Sequence, residues 1–292
     1  MSEPSPGVSE PSYRGWVRPG PIPPGGVEVE EGETLDFLCG YYRIFQYAKG
    51  HRYSTDDVLT AWYGTQWAPR VERAADLGSG IGSVAMISAW RLPGATFCTV
   101  EAQSISIRLA RKSIRYNGLE NRFRPYEGDL RDETVLGHEL PFDLVTGSPP
   151  YFPKGTAAPA DHPQAVGARI ETRGAIEDYA RAASRILGLG GLFAFVFPMN
   201  QLDRVIDALA ASGLVLLRYR PVVFREGDAP LIGLFAASRA ADLPVSFTSP
   251  REGKPVVESP LIIRTRKGGV HPEYATVRLS FGFPPGDVAA HE

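Results

Sequence analysis

The sequence predicts an α/β protein built on one open, doubly wound, mostly parallel sheet. Three observations carry this. Strand-like runs alternate with helix-like runs from about residue 70 to residue 236, the pattern of parallel strands joined by helical crossovers. The run Leu192-Phe193-Ala194-Phe195-Val196-Phe197 is apolar throughout, as a strand covered on both faces should be. The turn Gly78-Ser79-Gly80-Ile81-Gly82 joins a strand ending Ala74-Ala75-Asp76-Leu77 to a helix, the unit at which such sheets collect ligands.

At 292 residues and 43% hydrophobic content the chain can bury a full core. Its 31 Lys and Arg nearly balance 33 Asp and Glu, so there is no global basic field, and any nucleic-acid contact must be local. Cys39 and Cys98 are far apart and outside any CxxC or Cys/His cluster, which argues against a disulfide scaffold or a metal site. The start lacks a basic region followed by an apolar core, and no run has the length of a membrane span. A cytoplasmic protein with no membrane partner is expected. The sequence does not fix the oligomeric state; a monomer is the default expectation.

In chain order, residues 1–30 are crowded with Pro, Gly, Ser and Glu and predict a flexible lead-in; residues 31–292 form the domain. Leu35, Phe37, Leu38, Tyr42, Ile44, Phe45 and Tyr47, broken by Gly40, suggest a hairpin. Ser54 or Thr55 caps a helix bearing Val58, Leu59 and Trp62, with Asp56 and Asp57 in its first turn, ending before Pro69. After the glycine turn, Val84, Ala85 and Ile87 mark a helix. Thr96 to Val100 is a strand closed by Glu101, and a helix from Ser104 ends near Asn117-Gly118. Phe142 to Thr146 is a buried strand running into Ser148-Pro149-Pro150-Tyr151. Ile176, Tyr179, Ala180, Ala183, Ile186 and Leu187 recur at helical spacing, and Gly188 stops them. Asn200 with Asp203 caps a helix through Leu209, and strands at 214–217 and 231–236 finish the core. Beyond Pro244 the helical signal disappears, and short strands at 260–266 and 276–281 predict a small C-terminal β extension.

The chemistry concentrates at two turns. In the first, the glycines let the backbone approach a ligand at a helix's positive end, and Glu101 can accept from a ribose diol. A nicotinamide-dinucleotide fold shares these features, but its fingerprint is G-x-G-x-x-G, whereas Gly78, Gly80 and Gly82 follow G-x-G-x-G behind Asp76. In the second turn, two prolines end the strand rigidly and expose a hydroxyl, carbonyls and an aromatic face within four residues.

The first turn resembles the cofactor site of class I S-adenosylmethionine methyltransferases. That resemblance implies a Rossmann-like sheet with an antiparallel last strand. It implies that Asp76, Gly78, Ser79, Gly80 and Gly82 hold the amino-acid part of S-adenosylmethionine, Glu101 and Ala102 the ribose, and Asp129 and Leu130 the adenine. The second turn is similar to the Asp/Asn/Ser-Pro-Pro-aromatic motif of amino-methyltransferases, which makes Ser148, Pro149, Pro150 and Tyr151 catalytic, with Ser148 also beside the cofactor. An exocyclic amine is a poor nucleophile because its lone pair is delocalised. Hydrogen bonds accepted by Ser148 and the Pro149 carbonyl would steer that lone pair to the methyl group, and Tyr151 would stack on the base. No metal is needed.

A narrower resemblance rests on Ile44-Phe45-Gln46, on the stretch from Gly50 through Tyr53, Ser54 and Asp56 to Leu59, on Ala168-Arg169-Ile170-Glu171, and on Arg225 with Pro230. These look like the bacterial tRNA1(Val) adenine-37 N6-methyltransferase family, over about residues 34–282. It implies that Tyr53, Ser54 and Asp56 pack over the methionine end of the cofactor. It also implies that Tyr151, Phe152, Arg169 and Arg225 meet a nucleic-acid substrate, tRNA. The family usually has Asn where this chain has Ser148, and serine occurs there in some cytosine-N4 enzymes. The alternatives are the same chemistry on DNA or a protein glutamine, and a non-catalytic methyltransferase-like RNA-binding module.

Other features carry blander expectations. Arg108, Arg111, Lys112, Arg115, Arg122 and Arg124 are expected on a solvated face, Trp62, Tyr63 and Trp67 in the core, and the cations from Arg251 to Lys267 near phosphates. His51, His138, His162 and His271 form no catalytic set.

Overall fold

The structure, a computed structural model, describes residues 12–13, 15–20, 25–68, 70–152, 164, 171, 174–248 and 254–284. Ser12–Tyr13 (β1) pairs antiparallel with Trp16–Val17 (β2). Glu33–Cys39 (β3) and Tyr42–Tyr47 (β4) make the expected hairpin. Polar side chains of the third helix satisfy backbone groups of β4: Phe45 N–H donates to Ser113 Oγ at 2.9 Å, and Arg43 N–H to Asn117 Oδ1 at 2.9 Å. Buried backbone donors need such partners. Gly40 N–H donates to the Phe281 carbonyl at 2.8 Å, tying the hairpin to the far end of the described chain.

Helix α1 (Thr55–Trp67) opens with a capping box between Ser54 and Asp57. Then come β5 (Arg73–Leu77), α2 (Ser83–Arg91), β6 (Thr96–Glu101), α3 (Ser104–Tyr116), β7 (Phe123–Glu127) and β8 (Phe142–Gly147). They are followed by α4 (Ile176–Ile186), β9 (Leu187–Pro198), α5 (Leu202–Ala211), β10 (Leu214–Arg225) and β11 (Ile232–Arg239). The order β10-β11-β9-β8-β5-β6-β7 has five parallel strands at one side and β11 inserted antiparallel between β9 and β10, as expected.

Strand alternation divides the core between the two faces of the sheet. Leu192, Ala194 and Val196 pack in one apolar cluster with α1 and α2; Phe193, Phe195 and Phe197 pack in another with α4 and α5. This double covering is why β9 reads as a continuous apolar run. Gly64 lets α1 lie close on the sheet, since a Cβ there would stand 3.2 Å from the Ala194 Cβ.

The C-terminal segment comprises α6 (Val245–Thr248), β12 (Val256–Val257), β13 (Leu261–Arg264) and α7 (Pro272–Ser280). The strand expected at 276–281 is a helix. Pro272 at its first turn, the His271 cap and the buried Tyr274, Ala275 and Val277 on one face outweigh the β-branched Thr276-Val277 pair. The expected Asn200–Asp203 cap does not form; a 3-10 turn at Met199–Gln201 leads into α5, whose N-terminus carries no side-chain cap. The C-terminal segment clasps α1: Tyr63 donates to Glu258 at 2.6 Å, and on adjacent β10 the Arg218 guanidinium lies 3.5 Å from the Trp67 ring centroid.

The basic face of α3 is only partly solvated. Lys112 is buried and bonds to Glu33 at 2.6 Å and Glu30 at 3.0 Å, and Arg108 reaches both carboxylates. Glu30, Val27 packed on the core, Gly25 beside Tyr116 and Arg18 over the Phe37 ring bring described parts of the lead-in onto the domain.

Candidate active site

The site lies where β5, β6 and β8 end, and its first component is the turn after β5. Gly78, Gly80 and Gly82 have φ of +60°, +55° and +83°, which only glycine adopts cheaply. One of them has a further reason. A Cβ on Gly78 would stand 1.9 Å from the Tyr179 hydroxyl, whereas a Cβ on Gly80 would meet no atom and would project into open space. Gly82 begins α2 without a side-chain cap, and the helix start faces Asp76, which takes a hydrogen bond from the Ala85 backbone.

Around this turn is a chamber with an empty volume of about 880 Å³, lined by Tyr53, Asp76, Gly78, Ser79, Gly80, Glu101, Ala102, Gly128, Leu130 and Ser148, among others. Its charge is acidic. Glu101 is buried, with one carboxylate oxygen accepting from Gly80 N–H at 2.8 Å and the other from Gln103 N–H at 2.7 Å. Asp76 accepts from the Thr146 hydroxyl at 2.8 Å through Oδ1, while its buried Oδ2 and the Ser79 hydroxyl have no partner. Burial pushes the Asp76 carboxyl up to about 7.

A second chamber, of about 1150 Å³, adjoins the first and is lined by Gly50, His51, Arg52, Ser54, Asp56, Asp57 and Ser148 through Phe152. His51, Asp57, Ser148 and Pro150 line both. The Ser148 hydroxyl is buried without a hydrogen-bond partner. Tyr151 is fixed at three points: its hydroxyl donates to Asp56 Oδ2 at 2.7 Å, its carbonyl accepts from Gln201 at 3.2 Å, and its ring meets Phe197 edge-on at 6.0 Å. Burial raises the Asp56 carboxyl, opposed by the Tyr151 hydrogen bond. Burial and Asp56 hold the Tyr151 phenol well above its ordinary value.

Most residues singled out in the sequence come together here. Asp76, the glycine turn, Ser79, Glu101, Ala102, Leu130, Tyr53 and Ser148 line the first chamber. Ser54 and Asp56, expected at the cofactor, line the second, with Pro149, Tyr151 and Phe152. Asp129 stands outside the lining of both, its carboxylate paired with Arg131, while its neighbours Gly128 and Leu130 face the first chamber. Arg169 lies outside the described residues. Arg225 is on the C-terminal end of β10, away from both linings.

Asp57 and Tyr179 were not singled out. Asp57 completes the α1 capping box and accepts from the Ser83 hydroxyl at 2.5 Å, linking α1 to α2 across the chamber. Its position four residues after Tyr53, next to Asp56, was the available signal. Tyr179 belongs to an apolar helical stripe that nothing distinguishes from core. Among the described residues no group of His, Cys, Asp and Glu is arranged to hold a metal, and no helix is long and apolar enough to cross a membrane.

Comparison with known proteins gives likenesses in sequence and in fold. The methyltransferase small domain family matches residues 64–165. A Porphyromonas gingivalis protein named tRNA1(Val) (adenine(37)-N6)-methyltransferase is 30% identical over 252 residues, covering 85% of this chain and 94% of that protein. Its counterpart from a second strain is 29% identical, covering 80% and 88%. In fold, the chain is similar to the crystal structure of a predicted O-methyltransferase from Agrobacterium tumefaciens. That match has a TM-score of 0.58 and 22% identity, over 81% of this chain and 100% of that one.

Proposed function

The chain belongs to the tRNA1(Val) (adenine(37)-N6)-methyltransferase family, and we propose that it moves a methyl group from S-adenosylmethionine to the N6 amine of an adenine in tRNA. The observation that carries the reading is Ser148, which lines both chambers and whose buried hydroxyl has no hydrogen-bond partner. A group in that position can serve a donor on one side and an acceptor on the other.

The first chamber suits this cofactor on its own chemistry. Asp76, Glu101 and Asp57 line it, so it favours a ligand with a sulfonium and an ammonium and disfavours the pyrophosphate of a dinucleotide. The unpartnered Asp76 Oδ2 and Ser79 hydroxyl would take the methionine end, with Tyr53 and the backbone of Gly78 to Gly82. Glu101 and Ala102 would hold the ribose, and the Gly128-Asp129-Leu130 turn the adenine. When bound, the cofactor supplies an electrophilic methyl carbon.

The second chamber then takes the target base. Ser148 and the Pro149 carbonyl accept hydrogen bonds from the exocyclic amine and orient its lone pair towards the first chamber. Pro149 and Pro150 keep these acceptors rigid, so little reorganisation is needed when the base arrives. Tyr151 and Phe152 provide aromatic faces for an extruded base. A tRNA substrate assigns the activity to the cytoplasm.

The test is to incubate the protein with labelled S-adenosylmethionine and separate pools of tRNA, DNA and protein, then to digest any labelled nucleic acid to nucleosides. Label in N6-methyladenosine from tRNA is expected, with adenine 37 of tRNA1(Val) the first site to map. Label only in protein, only in DNA, or in N4-methylcytidine would overturn the substrate assignment. No cofactor binding by calorimetry would overturn the enzyme.

A further inference from the structure

An RNA larger than one nucleotide must touch the protein beyond the second chamber, and an unneutralised group of arginines lies at the same end of the sheet. Arg225 ends β10 and Arg264 ends β13, and the two are register partners in parallel strands. Arg266 follows in the turn after β13. All three are exposed.

Backbone groups hold these side chains. Arg225 Nη1 donates to the Arg266 carbonyl at 3.3 Å, and Arg264 Nη1 donates to the Gly268 carbonyl at 3.0 Å. The Arg266 guanidinium passes over Gly227, where a Cβ would stand 3.5 Å from it. Glu226 and Asp228 lie in the adjoining turn, yet Glu226 accepts from the Arg266 backbone N–H at 3.3 Å. Among the described residues none of the three guanidiniums has a carboxylate partner, whereas Arg73, Arg108, Arg204, Arg220 and Arg239 each do. Positioned but unneutralised guanidiniums suit phosphate oxygens.

The topology also aims them. Pro198, Ile232 and Val222 are register partners across β9, β11 and β10, at the sheet end that carries Ser148. Arg225 lies three residues beyond that row. Strand spacings of about 4.8 Å and a rise of about 3.3 Å per residue put it on the order of 20 Å from Ser148. That is too far to reach the target nucleotide and a suitable distance for the chain flanking it. Tyr274 feels the charges of both Asp56 and Arg264.

We infer that Arg225, Arg264 and Arg266 form a cationic rim that binds the sugar-phosphate backbone flanking the target base, an assignment that rests on the tRNA reading above. Contacts of this kind position the RNA without reading its sequence.

The test compares the full-length protein with a triple variant, Arg225→Gln, Arg264→Gln and Arg266→Gln. Glutamine keeps a donor for the backbone carbonyls and removes the charge. The probe is an unmodified tRNA transcript, with binding followed by fluorescence anisotropy over a range of salt. The variant should bind about tenfold to a hundredfold more weakly, and the dependence of log Kd on log salt should flatten by about 2, at roughly 0.7 to 0.9 per lost phosphate contact. Cofactor affinity and melting temperature should hold, and the three arginines replaced by lysine should restore most of the binding. Arg111→Gln with Arg115→Gln on α3 should change transcript affinity by less than about twofold. Wild-type affinity and slope in the triple variant, with the wild type methylating tRNA, would overturn the rim alone. A wild type that neither binds nor methylates tRNA would overturn the rim and the substrate reading together. Loss of poly-glutamate binding with transcript binding intact would assign the rim to an acidic protein and overturn the proposal.

Discussion

The two chambers share Ser148 but are built in opposite ways. The first is centred on one strand–turn–helix unit, with Glu101 from the adjacent strand folding back onto Gly80, and Tyr53, Gly128, Ser148 and Tyr179 close it from elsewhere in the chain. The second is assembled from segments about a hundred residues apart, with Asp56 at the start of α1 gripping Tyr151 after β8, and Gln201 before α5 holding the Tyr151 carbonyl. A chamber centred on a strand–turn–helix unit keeps its backbone donors in one short stretch of sequence. An assembled chamber depends on the whole domain and can be retuned by changing any contributing segment. The difference suits one cofactor and many acceptors.

Substitutions can break this division. The largest effect is expected at Glu101→Ala, which should weaken S-adenosylmethionine binding by about a hundredfold and lower methyl transfer at least as much, since Gly80 N–H and, in the proposed cofactor pose, the ribose lose one buried acceptor. Calorimetry and labelled-methyl transfer would check it. Tyr151→Ala should lower kcat/KM for tRNA by about tenfold to a hundredfold, the loss of about 1 to 3 kcal/mol of base stacking, with cofactor affinity within about twofold. Equal loss of both would mean that Tyr151 supports the fold of the two chambers together.

Ser148→Ala should reduce kcat by about tenfold or more through loss of the acceptor, whereas Ser148→Asn should retain activity on adenine; single-turnover kinetics would separate chemistry from binding. Asp56→Asn tests the link between segments. It keeps a hydrogen-bond partner for Tyr151 and should cost only about twofold to tenfold in kcat, with no change in cofactor binding. Asp56→Ala should cost more.

The smallest effect is a pH dependence confined to the first chamber. Because burial raises the Asp76 carboxyl to about 7, it is ionised only above that value. A cationic cofactor favours the ionised form, so its affinity should rise as pH increases through about 7, and Asp76→Asn should flatten the profile. Stability runs the other way. The folded state holds the proton more tightly than the unfolded state, so Asp76 contributes stability below its unfolded value and loses it as pH rises towards 7.

The same contrast explains which features the sequence alone discloses. Parallel strands, the glycine turn and Glu101 were legible because each reports on itself: an apolar run, a glycine spacing, a carboxylate at a strand end. The antiparallel placement of β11 followed from the resemblance. The pairing of Asp56 with Tyr151 was not legible, since nothing local relates residues 56 and 151. Asp57 looked only like a helix-favouring acid, and Tyr179 only like core. The helix α7 was misread as strand because Thr276 and Val277 favour strands locally, while burial of Tyr274 against α1 decides the outcome. Lys112 looked like part of a solvated stripe, and Glu30 and Glu33, 82 and 79 residues earlier, make it a buried ion.

The hydrogen bond from Gly40 to the Phe281 carbonyl bears on the time course of synthesis. About 240 residues separate its ends, and a ribosome adds roughly 5 to 20 residues per second, so the hairpin waits roughly 10 to 50 s for its last partner. During that interval the sheet's first strands can pair, but the segment that clasps α1 has not emerged. A protein whose acceptor chamber starts at α1 therefore becomes competent only after residue 281 has been added. Nascent chains stalled before residue 281 should hold the cofactor far better than they methylate RNA.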